Sequence, residues 1–214
     1  MRISLNSMNA LRRITYARSM DASKPALNGV ALEPAGPGKV WAAATDGFIL
    51  AWGLLNLDEE TDTLDKRLIL PGKLANEIGK IKLSKKPKPA SLFVEITDDL
   101  AWLHRAGFPS LSMRWAEGIY PKWQKVVPSK DTICPWCGGR FSTGVLEQAS
   151  KALGNPAGFL PLAVTTGRNI HIAHCDGVFV QAMPIVSCDG NEANLAGILR
   201  RALDVSPVIE EKAS

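Results

Sequence analysis

The chain has 214 residues, 46% hydrophobic and 21% charged, with 18 Gly and 14 Pro, which is enough apolar material for a sizeable core and too little Gly and Pro for a low-complexity chain. No run approaches the roughly 18 consecutive apolar residues of a membrane span, and the opening MRISLNSMNALRR has no apolar segment behind its basic residues, so no membrane is expected and the cytoplasm is. The net charge of +4 divides into +6 over residues 1–130 (19 Lys/Arg against 13 Asp/Glu) and −2 over residues 131–214 (6 against 8), which assigns any polyanion contact to the first part.

In chain order, residues 2–5 read as a short strand and residues 6–20 as a helix with Met8, Leu11, Ile14 and Thr15 inward, leaving Arg12, Arg13 and Arg18 largely off that stripe. Three strands follow, Leu27–Glu33, Val40–Ala44 and Phe48–Leu54, separated by Pro34-Ala-Gly-Pro-Gly38 and Thr45-Asp-Gly47 turns. After the acidic stretch Asp58–Asp65 the order recurs: strand Arg67–Leu70, a helix opened by Pro71 with Leu74, Ile78 and Ile81 inward, and strands Leu92–Thr97, Leu100–Arg105 and Ser110–Ala116. A third copy consists of strand Arg140–Ser142, helix Thr143–Leu153 with Val145, Leu146, Ala149 and Leu153 inward, and strands Phe159–Thr165, Asn169–His174 and Val178–Val186. A last helix, Glu192–Leu203, precedes a polar tail.

Three β-α-β-β-β units with one helix each cannot cover both faces of their sheets, so the units are expected to pair, helices on one side and antiparallel strands on the other. The fold class is α+β built on pseudo-symmetry. The division expected is a complete domain over 1–128, with halves 1–57 and 66–120, then a short Cys-containing connector over 129–139, a half-domain over 140–188 and an added helix and tail over 189–214.

Leu27-Asn-Gly-Val-Ala-Leu32, Ala44-Thr-Asp-Gly-Phe-Ile-Leu-Ala51 and Glu117-Gly-Ile-Tyr-Pro-Lys-Trp-Gln-Lys-Val-Val-Pro128 resemble the middle domain of the bacterial DNA polymerase III β subunit, the replicative sliding clamp, and Met183-Pro-Ile185 resembles the close of its final domain. The resemblance spans about residues 1–130 as a whole domain and 139–187 as the second half of another. It implies helices lining a ring with sheets outside, duplex DNA held non-specifically, and polymerase or repair proteins tethered by short clamp-binding peptides. Such a protein holds and does no chemistry. The family's rings contain twelve half-domains, so three per chain imply a homo-oligomer, four chains by arithmetic.

The positions that match the family's peptide pocket are Leu27, Thr45, Gly47, Leu50, Pro121, Val126, Met183, Pro184 and Ile185, with Phe48-Ile49 in place of a polar, basic pair so that the pocket is either reshaped or filled. For DNA the expected contacts are Arg12, Arg13, Lys73, Lys80 and Lys82, where Lys73 and Lys80, seven apart, share a helix face. Cys134-Pro-Trp-Cys137 before Gly-Gly resembles a zinc knuckle, with Cys188, or with His174 and Cys175, completing a site; no cofactor is required. A dithiol oxidoreductase would need that motif to follow a strand directly and open a helix, and phosphate-loop, nucleophile-elbow and two-His helix motifs are missing from the sequence, so no enzyme is expected. The alternative is a clamp-like accessory or decoy that binds replication proteins without encircling DNA.

Overall fold

The computed structural model describes residues 1–81, 92–127, 142–154 and 177–182, and the backbone of strands at 133–134, 163–165 and 171–175. Met1–Pro184 forms one compact unit; Ile185–Ser214, including the helix expected at Glu192–Leu203, lies outside the described residues.

Strand β1 (Arg2–Ile3) is followed after a single residue by helix α1 (Leu5–Ile14), which tightens into a 3-10 turn over Thr15–Ala17. Met8, Leu11, Ile14 and Thr15 are all buried, as the periodicity requires. Pro25, with φ already helical and no N–H to lose, opens a one-turn helix α2 (Pro25–Asn28). Leu27 therefore belongs to that turn and not to the strand expected from Leu27, which begins three residues later. The meander that follows is β2 (Val30–Pro34), β3 (Lys39–Thr45) and β4 (Ile49–Asn56). The acidic stretch after it is ordered: Leu64 is buried, and the Asp62 carbonyl accepts the Gly38 N–H at 2.7 Å, pinning the link between halves to the β2–β3 turn.

The second half runs β5 (Leu68–Leu70), α3 (Gly72–Gly79), β6 (Leu92–Ile96), β7 (Leu100–Arg105) and β8 (Leu111–Arg114). The two halves trade their first strands. β1 lies beside β6, giving the sheet β1-β6-β7-β8, and β5 lies beside β2. The third unit comprises β9 (Ile133–Cys134), α4 (Thr143–Leu153), β10 (Ala163–Thr165), β11 (His171–Cys175) and β12 (Val178–Ala182). A strand, β9, falls inside the expected connector; of the strand expected at Arg140–Ser142, Ser142 is the residue that opens α4, and Arg140 and Phe141 lie outside the described residues.

β12 pairs antiparallel with β4 from Val178↔Gly53 to Ala182↔Ile49, so that one sheet of eight strands, β5-β2-β3-β4-β12-β11-β10-β9, joins the third unit to the first. All ladders in both sheets are antiparallel. Helices α1, α3 and α4 pack on the inner faces, and one continuous core runs from Leu74 and Ile78 through Leu11 and Ile14 to Leu153, Val178 and Val180. A smaller apolar cluster lies on the opposite face of the eight-stranded sheet, where Tyr120 and Trp123 cover Ala31, Ala43, Leu50, Trp52 and Ile69. Among the described residues no helix is long and apolar enough to cross a membrane.

Candidate partner pocket and nucleic-acid face

The Thr45–Leu50 turn owes its shape to four side-chain hydrogen bonds. Thr45 Oγ1 donates to the Ile49 carbonyl at 2.6 Å and accepts the Gly47 N–H at 3.0 Å, while Asp46 Oδ1 accepts the Phe48 and Ile49 N–H groups at 2.8 and 2.9 Å. This is the local back-bonding that suits Thr and Asp to turns, and Gly47, at φ 100°, supplies the left-handed residue. Strand alternation then separates the pair that follows. Ile49 enters the inner core, whereas Phe48 stays 65% exposed at the turn and so does not fill the outer face.

On that outer face Thr45, Leu50 and Gln181 stand in one row across β3, β4 and β12. Leu50 is buried, Leu27 half-buried, and Pro121 and Val126 are exposed at the edge of the covering segment. β12 ends at Ala182 opposite Ile49, beside this turn; Met183, Pro184 and Ile185 lie outside the described residues. Gln181, 2% exposed with its Oε1 unpaired, is a polar atom in this row that sequence reasoning missed; a lone amide in an apolar strand was the available signal.

The covering segment is held down by a buried acid. Glu33 Oε1 accepts from Arg67 Nε at 2.8 Å and from Trp123 Nε1 at 3.0 Å, and its other oxygen accepts from Gln124. Arg67 also donates to the Tyr120 carbonyl at 3.0 Å, and the buried Tyr120 hydroxyl donates to the Ala43 carbonyl at 3.1 Å. Desolvation raises the Tyr120 phenol well above its ordinary value of 10.0. Trp123 meets Trp41 edge-on and Trp52 at 6.1 Å, and Trp52 stacks on Phe179 of β12 at 5.4 Å. Glu33 was legible only as a charge in an apolar strand; its partners lie 34 to 91 residues away.

The solvent side of the helices carries the candidate nucleic-acid residues. Lys73 is exposed on α3 and Lys80 is exposed at the cap of its C-terminal end, and Arg12 is half-buried, donating to Asn9 Oδ1 at 3.2 Å and Tyr16 Oη at 3.4 Å. Lys80 donates to Glu77 Oε1 at 2.8 Å, which holds the Glu77 carboxyl below its usual value, and on α4 Lys151, which sequence reasoning did not select, is likewise exposed and bonded to Glu147 at 2.6 Å. Lys82 lies outside the described residues.

Arg13 is a correction. It is 2% exposed, and its guanidinium donates to the carbonyls of Ala152, at 2.9 Å, and Leu153, the last turn of α4. A buried side chain with that occupation is closed to phosphate. Arg18 is buried too, donating to the Thr15 carbonyl and to Asn76 Oδ1, and desolvation lowers its pKa.

Cys134 ends β9, and Cys137 and Cys188 lie outside the described residues. Cys134 is opposite Val164, itself opposite His171, so Cys175 is two strands across and four residues along. That puts their Cα atoms roughly 16 Å apart, too far to share one ion, which removes the zinc site completed by His174 and Cys175 if Cys134 is a ligand. Among the described residues no cluster of three or more His, Cys, Asp or Glu side chains could hold a metal.

Exchanged half-domains, a helix layer on one side of antiparallel sheets and an edge-joined further unit define the sliding-clamp fold. The family model for the DNA polymerase III beta subunit, central domain, matches residues 4–122, and the chain belongs to that family. Solved structures of similar fold are the Bacillus subtilis clamp (15% identity, TM-score 0.61, 87% of this chain and 64% of that one), the C. crescentus clamp (14%, 0.65, 87% and 65%) and a Pseudomonas aeruginosa clamp bound to griselimycin (13%, 0.59, 87% and 66%). The chain thus spans about two thirds of the length of these clamps or slightly less. No curated protein matches it.

Proposed function

We propose that this chain acts as a sliding-clamp-like processivity factor of DNA replication in the cytoplasm, holding duplex DNA without reading its sequence and tethering polymerase or repair proteins, with no catalysis of its own. The observation that carries this is the pairing of two surfaces on one family fold. Arg12, Lys73 and Lys80 lie on the solvent side of the helix layer, and the row Thr45, Leu50, Gln181, flanked by Leu27, Pro121 and Val126, lies on the outer side of the sheet. Cations on a helix surface contact phosphate oxygens, which fix position and carry no base information. A shallow apolar row between strands and a covering segment suits short apolar peptide anchors.

The test is anisotropy of a labelled duplex of about 30 base pairs across a salt series. Affinity is expected to fall steeply between about 50 and 200 mM salt, and Lys73→Ala with Lys80→Ala to weaken binding and reduce the log–log slope by about 0.9 for each phosphate no longer neutralised. No binding at the lowest salt would overturn the DNA reading. The second reading, an accessory protein that binds replication proteins without enclosing DNA, draws on the two ion pairs that neutralise part of the helix face, Lys80 with Glu77 and Lys151 with Glu147.

A further inference from the structure

β12 alternates as a strand between two layers must. Val178 and Val180 enter the inner core, whereas Phe179, stacked on Trp52, and Gln181 stand on the outer face. Gln181 lies opposite Leu50 of β4 on one side and Ile172 of β11 on the other, and Leu50 lies opposite Thr45. The row thus runs Thr45, Leu50, Gln181, Ile172, with an amide between two apolar residues. Gln181 is 2% exposed, and its Oε1 is enclosed with no hydrogen-bond partner among the described residues. An acceptor buried in that way costs an equilibrium about 10-fold or more relative to an apolar side chain of the same shape, and nothing in this row offsets the cost.

The row's own members cannot supply the donor. Leu and Ile side chains have none, and the Thr45 hydroxyl proton is held by the Ile49 carbonyl at 2.6 Å. β4, β12 and β11 are interior strands of the eight-stranded sheet, so their main-chain groups serve the ladders on either side. For the same reason a peptide finds no free strand edge here to pair with. It meets this face through its side chains, the layer that covers a sheet lying about 10 Å above it. Two rings beside the row are exposed to such a side chain: Phe48, 65% exposed and two residues before Leu50, and Phe179, 36% exposed and two residues before Gln181. A Lys or Arg anchor would have to leave water for a row that contains no acid.

We propose that Gln181 sets the specificity of the partner site: the partner peptide anchors itself with a tyrosine or tryptophan, whose single neutral donor is accepted by Gln181 Oε1 while its ring lies on Leu50 beside Phe48 and Phe179. This rests on the reading of the outer face as a peptide site and narrows it, from any short apolar anchor to one that donates. Tyr and Trp combine a large apolar body with one O–H or N–H that needs a partner when buried. A Leu, Met or Phe anchor would cover Oε1 and leave it unpaired, and a site built to bond a hydroxyl or N–H discriminates strongly against the analogue that lacks it.

The experiment selects short linear peptides from a random phage-displayed library on the full chain, then measures the best of them, resynthesised with a fluorophore, by anisotropy. Leu50→Ala defines the site: peptides that it weakens bind the row. Among these, Tyr or Trp is expected at one shared position. Replacing that Tyr by Phe, or that Trp by 3-benzothienylalanine, which removes only the N–H, should weaken binding to wild type by about 10-fold or more and binding to Gln181→Met by less than about 2-fold. Without peptide, Gln181→Met should unfold at a urea midpoint equal to or above that of wild type, because it removes an unpaired acceptor and keeps the side chain's length. A lower midpoint would show that the chain itself supplies a donor and would overturn the proposal. Equal binding of the Tyr and Phe peptides to wild type overturns it with no variant needed, and so does the same loss in both proteins. Peptides that depend on Leu50 but anchor through Leu, Met or Phe refute the role of Gln181 and leave the peptide site standing, whereas the lack of any peptide that depends on Leu50 refutes the peptide site and this assignment together.

Discussion

Replacing Arg13 by Met keeps most of the aliphatic volume and removes the guanidinium that ends α4. Its two hydrogen bonds to the Ala152 and Leu153 carbonyls are charge-assisted, worth about 1.5–3 kcal/mol each, and the positive charge sits at the negative end of the helix, which adds up to about 2 kcal/mol in buried geometry. Against that, the variant regains the cost of taking the cation out of water, and breaking buried charged contacts from one side typically nets about 3–5 kcal/mol. We therefore expect Arg13→Met to lower the unfolding free energy by about 3 kcal/mol in urea, and Arg13→Lys, which keeps the charge but not the fork, by about half of that. Because the contact links α1 to the third unit, hydrogen exchange should quicken first in α4 and β12 while β6 and β7 keep their protection. Duplex binding by the folded variant should be unchanged. A loss under about 0.5 kcal/mol, or faster exchange spread evenly over both sheets, would refute the view that Arg13 is the clasp of the third unit, and weaker DNA binding at full folding would return it to the nucleic-acid face.

Gly53→Ala would set a Cβ at 2.7 Å from the Gly177 carbonyl oxygen across the β4–β12 joint; since the obstacle is backbone, it should cost about 1–3 kcal/mol as overpacking, read by urea denaturation. Glu33→Gln leaves Arg67 without its counter-charge and should release the Pro121–Val126 segment, seen as a red-shifted, more quenchable Trp123 fluorescence and weaker peptide binding, while β6–β8 stay protected from exchange. The folded chain keeps the Tyr120 proton that the unfolded chain releases near pH 10, so this group's contribution is complete below that pH and is lost as pH rises through and above it. The melting temperature of wild type should accordingly fall more steeply between about pH 9 and 11 than that of Tyr120→Phe, and parallel curves would contradict this.

Helix positions were legible because their cause is local. Met8, Leu11, Ile14 and Thr15, or Leu74 and Ile78, recur at helical spacing, and the stripe they form must be buried wherever the helix lies. The Thr45-Asp46-Gly47 turn was legible for the same reason, its hydrogen bonds being made within five residues. Arg13 was misread because its burial depends on a helix 139 residues further on; by periodicity alone a basic residue off the apolar stripe of α1 faces water. Strand exchange was illegible for a related reason. Order along the chain gives β-α-β-β-β, but whether β1 stays with β2 or crosses to β6 is set by how short the strand-to-helix link is and by what the neighbouring half offers. In the third unit the link is long and its strand had no alternation to mark it, so the two-residue β9 went unseen and a strand was expected at Arg140–Ser142.

The β4–β12 joint bears on the one sheet edge in the complete domain that has an equivalent use. β4 is the last strand of the first half and β12 the last strand of the third unit, and they pair antiparallel over five residues. β8 is the last strand of the second half, and among the described residues its outer edge has no strand beside it. Exposed N–H and C=O groups on such an edge are a template for another strand, and an antiparallel pair of identical strands is self-complementary about a two-fold axis.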